Sequence, residues 1–197
     1  MILSTVRALE RDFYGRDAGG LARELLGKLL LCDGVGGRIV EVEAYGGADD
    51  PGSHAFRGRT RRNASMFGPP GHLYVYFIYG VHWCANVVCG AEGVPGAVLV
   101  RALAPTHGVD AMRRRRARAR RERDLCSGPA RLCQALAIDG SHDGADLVGG
   151  HAGVRLFDDG TAPPARPRRG PRIGLAAGAE RPWRWYVAGD SNLSRPG

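Results

Sequence analysis

Between Asp17 and Leu31 apolar residues recur at helical spacing, with Leu21, Leu25, Leu26 and Leu29 on one face and Asp17 placed to cap the first turn. The pattern predicts an amphipathic helix over 17–31. Gly34, Gly36 and Gly37 then predict a turn into residues 38–45, where alternation takes over: Val40 and Val42 face one way, Glu41 and Glu43 the other. From Gly46 to Gly71 no periodic segment survives, and irregular stretches of that length usually have a task. Strands are predicted over 73–79, 83–89 and 97–102, punctuated by Gly80 and by residues 91–96, which suits antiparallel neighbours. Residues 125–136 read as a second helix, with Ser127 as N-cap, Pro129 in the first turn and an apolar stripe of Leu132, Cys133 and Leu136. Short strands are predicted over 154–157, 172–175 and 184–187, and a surface loop over 162–170. With no internal repeat and no linker, residues 1–197 are expected to form a single mixed α and β (α+β) domain.

Composition narrows the class. Hydrophobic residues make up 44% of the 197, enough for a core. No apolar run reaches the roughly 20 residues of a membrane helix, and the N-terminus lacks a secretory pattern, so a soluble intracellular protein is expected. Five cysteines, Cys32, Cys84, Cys89, Cys126 and Cys133, contain no Cys-x-x-Cys pair and sit mostly in apolar stretches. Reduced packing cysteines fit better than disulfides or zinc. The formal charge is +8. Lys28 is the only lysine, which points to a coding bias toward arginine, but such a bias does not create a positive excess. A polyanionic partner is therefore favoured. The run from Met112 to Arg123 is the densest block, and it suits either phosphate contact or a solvated helix face.

Glu41 and Glu43, at i and i+2 of a strand, share a face with Cα atoms about 6 to 7 Å apart. On spacing alone they suit the polar outer face of an edge strand, or a general base with a supporting carboxylate paired to an arginine such as Arg38 or Arg101. Tyr45 and His54 flank the irregular loop, and no second histidine stands at ligand spacing. Tyr74 and Tyr76 share one strand face. Tyr79 faces the other way if the strand stays regular, yet beside Gly80 it can project from the surface. Aromatic residues among arginines serve core packing or base stacking. Charge and aromatics alone equally suit a non-catalytic nucleic-acid-binding protein. A glycoside hydrolase is disfavoured, because its two acids flank the bond from opposite sides.

The runs over 38–45 (RIVEVEAY), 71–80 (GHLYVYFIYG), 99–103 (LVRAL), 125–136 (LCSGPARLCQAL) and 171–175 (PRIGL) together resemble the 3-methyladenine (alkyladenine) DNA glycosylase family of the mammalian type. The resemblance extends in order from about Leu21 to Ser194. It implies a compact mixed α/β domain around a curved antiparallel sheet, without metal or cofactor. It implies that Glu43 is the catalytic glutamate, that Tyr45, His54 and Tyr76 hold the flipped base, and that Asn86 crowds the exocyclic amino group of guanine. It further implies that Tyr79 wedges into the duplex and that Arg101 lies near the backbone of the flipped nucleotide.

The implied activity is hydrolysis of the N-glycosidic bond of alkylated or deaminated purines in double-stranded DNA, by a monomer in the bacterial cytoplasm, at the nucleoid. With the sole lysine assigned to the first helix, the implied enzyme is a monofunctional hydrolase. Two segments depart from the family pattern. The arginine block over 112–123 is denser, and the tail over 189–194 lacks an expected proline.

Overall fold

The strand that carries both glutamates runs through the middle of the sheet. The computed structural model describes residues 6–195. Its elements are β1 (Arg7–Ala8), α1 (Ala18–Leu25), β2 (Leu29–Cys32), β3 (Val35–Tyr45), β4 (Leu73–Ile78), β5 (His82–Val88), β6 (Ala97–His107), α2 (Val109–Arg115), α3 (Pro129–Leu136), β7 (Val154–Asp158), β8 (Arg168–Gly170) and β9 (Arg184–Tyr186). The strands form one curved antiparallel sheet in the order β1-β7-β2-β3-β6-β5-β4, with β9 on β3 and β8 on β9. With its flanking helices this is an α+β fold.

The two faces of the sheet differ. One packs Val42, Ala44, Val75, Ala85, Val87, Val98 and Val100 against Leu21 and Leu25 of α1 and Leu132 and Leu136 of α3. This is the main core, and burying each of its valines and leucines is worth about 1.5 to 3 kcal/mol. The other face carries a smaller cluster, Ala55, Met66, Tyr74, Val88 and Ala97, with Tyr76 packed beside it. Alternation places Glu43, Asn86 and Leu99 on that second face.

Several expected elements end elsewhere. The first helix stops at Leu25, and Gly27, at φ +86°, turns the chain so that Leu29–Cys32 become β2. Asp17 does cap it, accepting a 2.8 Å hydrogen bond from the Gly20 N–H. The leucine run over 29–31 satisfies a helix or a buried strand, and pairing with β3 and β7 decides for the strand. Lys28 consequently sits between α1 and β2, in a 3.0 Å ion pair with Asp158. Gly36 and Gly37 lie inside β3, where a Cβ would strike the carbonyls of Leu30 and Ala104, so close strand approach explains them. The third helix is capped at Gly128, since the Ser127 hydroxyl instead accepts a hydrogen bond from Arg131. Residues 172–175 form a loop, and the strand at this point is β8, which pairs with β9. The arginine block is α-helical only to Arg115, with a short 3-10 turn over Glu122–Asp124.

All five cysteines are buried and free. Among the described residues no helix is long and apolar enough to cross a membrane.

Candidate active site

Glu41 and Glu43 are both fully buried. The edge-strand reading fails because β6 covers one side of β3 while β2 and β9 share the other. Two ionised carboxylates in such a place need compensating charge and donors. Arg101 supplies both: its Nε donates to Glu41 Oε1 at 3.1 Å and one Nη to Glu43 Oε2 at 3.2 Å. Register shifts in the β3–β6 pairing, between Ile39 and Val42, leave Arg101 without a paired partner opposite. A bulge of this kind re-aims a side chain, here toward the two glutamates. Arg38, the other candidate partner, turns away to Asp159 at 2.8 Å.

The glutamates differ in what holds them. Glu41 accepts from Arg101, from Arg184 Nε at 2.8 Å, and from the Ser194 hydroxyl and N–H at 2.8 and 2.6 Å. Three of these fall on Oε1 and the Ser194 N–H on Oε2, so Glu41 is held by four donors and ties the tail to the sheet. Glu43 Oε2 accepts from Arg101 and from the Tyr45 hydroxyl at 2.8 Å, while Oε1 accepts only the Ile173 N–H at 2.7 Å. Glu43 therefore retains one acceptor position, on Oε1.

Behind Tyr45, Arg101 and Ile173 opens a cavity of about 400 Å³, within the size range of small-molecule sites. Its lining includes Tyr45, His54, Tyr76, Asn86, Arg101 and Tyr79, so one cavity joins six of the seven residues singled out from sequence. The seventh, Glu43, lies one hydrogen bond behind the wall. His54 and Tyr76 meet edge to face, with ring centroids 4.6 Å apart at 77°. The Tyr74 hydroxyl fixes His54 Nδ1 at 2.9 Å, and Asn86 is held through Nδ2 to the Tyr74 carbonyl, also at 2.9 Å. Arg101 is 7% exposed. It is engaged inside the protein, with its remaining Nη on the Ser194 hydroxyl at 3.2 Å. Tyr79 sits at φ +54° in the turn after β4 and is 82% exposed, which frees it from strand alternation.

Burial keeps the rings of Tyr45, His54, Tyr74 and Tyr76 neutral. Tyr45 is raised far above the usual phenol range by burial and then by the Glu43 charge that its hydroxyl donates to. Burial, then Cys84, raises Tyr76 similarly, and burial pushes Tyr74 up to about 12. His54 is lowered by desolvation and by the nearby Arg62 charge, which favours the neutral imidazole. Among the described residues no group of three or more His, Cys, Asp or Glu is disposed to hold a metal ion.

Three contributors were not singled out from the sequence. Asp50 and Arg172 form a fully buried pair with two 2.6 Å contacts, and Arg172 lies over the Tyr45 ring at 4.8 Å. Ile173 follows directly and presents its N–H to Glu43. Nothing in local periodicity marks them; the family-like run over 171–175 contains Arg172 and Ile173, and Asp50 lies outside all such runs.

Fold and site thus define an α+β protein with an aromatic cavity backed by a buried, hydrogen-bonded carboxylate, a class suited to a planar ring substrate. The profile of the methylpurine-DNA glycosylase family matches residues 12–191, and the chain belongs to that family. It is a family of DNA glycosylases, hydrolases of N-glycosyl bonds. A Burkholderia lata protein bearing the name "Putative 3-methyladenine DNA glycosylase" is 56% identical over 189 residues, covering 95% of this chain and 91% of its own. Relatives of the same name from Rhodopseudomonas palustris and Streptomyces avermitilis are 49% and 46% identical, covering 95% and 94% of this chain and 90% of each of their own.

Proposed function

We propose that the protein is a monofunctional DNA repair glycosylase that takes an alkylated or deaminated purine out of duplex DNA and hydrolyses its N-glycosidic bond. The carrying observation is that every partner of Glu43 (Tyr45, Arg101 and Ile173) lines the aromatic cavity and Oε1 keeps an acceptor position, whereas Glu41 is tied to Arg184 and the tail. A water held on Glu43 Oε1 loses its proton to that carboxylate as it attacks C1′ of the sugar. The negative charge also favours the oxocarbenium character that develops there. Tyr45, His54 and Tyr76 enclose the base. Kept neutral, these rings suit a cationic alkylated purine by about 0.5 to 2 kcal/mol. Asn86 crowds the exocyclic amino group of guanine, which disfavours that base. Arg101 pairs with Glu43 and fixes its rotamer.

Extruding a nucleotide costs a few kcal/mol, least for a weakly paired base, and Tyr79, projecting from the β4–β5 turn, fills the space that the base leaves. A cationic purine departs without a proton donor. The only lysine is tied to Asp158, outside the cavity, so no Schiff base forms and the abasic site stays intact. The expected work is the first step of base excision repair. Glu43→Gln keeps shape and hydrogen-bonding size while removing the base. Single-turnover release from a duplex with one alkylated purine is expected to fall about 10²- to 10⁴-fold with lesion affinity retained; normal release would remove Glu43 from this role.

A further inference from the structure

The arginine block and the tail that lacks a proline, 60 and more residues apart in sequence, face each other across one cleft. Its volume is about 760 Å³, larger than the base cavity, and its walls include Arg121, Arg123, Arg131, Arg168, Asp190, Ser191 and Ser194. Two of the arginines are pre-oriented. Arg121 is held by Asp124 through Nε and an Nη, both at 3.1 Å, and Arg131 by the Ser127 hydroxyl at 3.0 Å. Arg123 and Arg168 are exposed, and among the described residues neither has an ion-pair partner. The two carboxylates of the lining offset only part of the cluster: Asp124 pairs with Arg121, Asp190 accepts from the Asn192 N–H and Nδ2 at 2.7 and 2.8 Å, and four arginines against two aspartates leave the lining net positive.

The cleft adjoins the base cavity across a wall one residue thick. Arg131 and Ser194 line the cleft, while their chain neighbours Ala130 and Arg195 line the cavity. Ser194 also touches Arg101, which reaches Glu43. A nucleotide whose base occupies the cavity has to lead its backbone away along one of these walls, and guanidinium and serine groups are the usual phosphate contacts.

We propose that this cleft carries the sugar-phosphate backbone of the damaged strand on one side of the lesion, with Arg123 and Arg168 as its free phosphate contacts. The assignment rests on the glycosylase reading for what fills the neighbouring cavity, and it extends the DNA footprint to a surface to which both segments that depart from the family pattern contribute, with Arg131 and Arg168 beside them.

The test is equilibrium binding of lesion-containing duplex over a salt series, by fluorescence anisotropy. An Arg123→Ala/Arg168→Ala double variant is expected to melt like the parent and to lower the slope of log K on log salt by about 1 per lost phosphate contact. An Arg114→Ala/Arg118→Ala pair, equal in charge and outside the cleft, is the control. The parent should also lose more affinity when the duplex is shortened on one side of the lesion, a preference the cleft variant should lack. An equal slope change in both variants, or the same length dependence in parent and cleft variant, would overturn the proposal. A parent that binds in this way but releases no base would instead sink the glycosylase reading and leave the cleft standing as a DNA contact.

Discussion

At the level of single residues, the site depends on the division of labour between two glutamates that share an arginine. Glu41 and Glu43 face Arg101 and Arg184, two negative groups against two positive, all nearly or fully out of water. Removing one member of a buried pair costs about 3 to 5 kcal/mol, because the other charge is left uncompensated. Glu41→Ala is therefore expected to lose stability of that order in a urea titration and to loosen the tail that Ser194 anchors. Glu43→Gln, which keeps volume and an acceptor, should instead lose rate with a smaller change in stability. The reverse pattern would exchange the assigned roles. Alternation placed both glutamates on one face. Only the hydrogen-bond partners, drawn from β6, β9, the loop after β8 and the tail, show which of them is held against the cavity.

At the level of elements, the β4–β5 hairpin combines a paired base with an exposed tip. Tyr76 is held near the sheet opposite Cys84, three residues before the chain turns at Tyr79 and Gly80, both at positive φ. Tyrosine in that backbone region is strained, and one so exposed gains little from packing. Tyr79→Ala is expected to change folding stability by no more than about 0.5 kcal/mol while weakening affinity for lesion duplex. A large drop in melting temperature with unchanged affinity would make Tyr79 a packing residue. The hairpin itself was legible from the apolar run and its glycine. The exposure of its tip was not, since alternation alone sends Tyr79 to the opposite face and only the turn geometry frees it.

At the level of the whole molecule, distant loops are clamped over the site. Asp50 and Arg172, 122 positions apart, make a bidentate pair. Asp50 also accepts from the Gly46 and Gly52 N–H groups, and Arg172 donates to the carbonyls of Ala44 and Gly178. The clamp fixes the entry to the His54 loop and sets Ile173 against Glu43. Burial opposes ionisation of Asp50, but the hydrogen bonds from Arg172, Gly46 and Gly52 outweigh it and hold the carboxyl below its usual range. A carboxyl depressed in the folded state binds protons more readily when unfolded. Its contribution is thus complete above about pH 4 and is lost as the pH falls through the lower folded value. Asp50→Asn should lower stability at neutral pH and flatten this acid limb in chemical denaturation; an unchanged limb would show that the clamp is not what titrates.

The sequence alone determined the elements whose cause is local. Alternation in β3, the helical stripe of α3, the Asp17 cap and the apolar hairpin strands follow from side-chain period and turn chemistry. It also carried the family-like runs that singled out Glu43 and the residues of the aromatic cavity. The tertiary structure decided whatever depends on which surfaces meet. It converted the leucines after Gly27 from helix to strand, because β3 and β7 offered partners. It buried two glutamates in mid-sheet, brought Asp50 to Arg172, and joined the arginine block to the tail in one cleft. Such contacts leave no periodic trace, because charge compensation and hydrogen-bond saturation are settled between residues far apart in sequence.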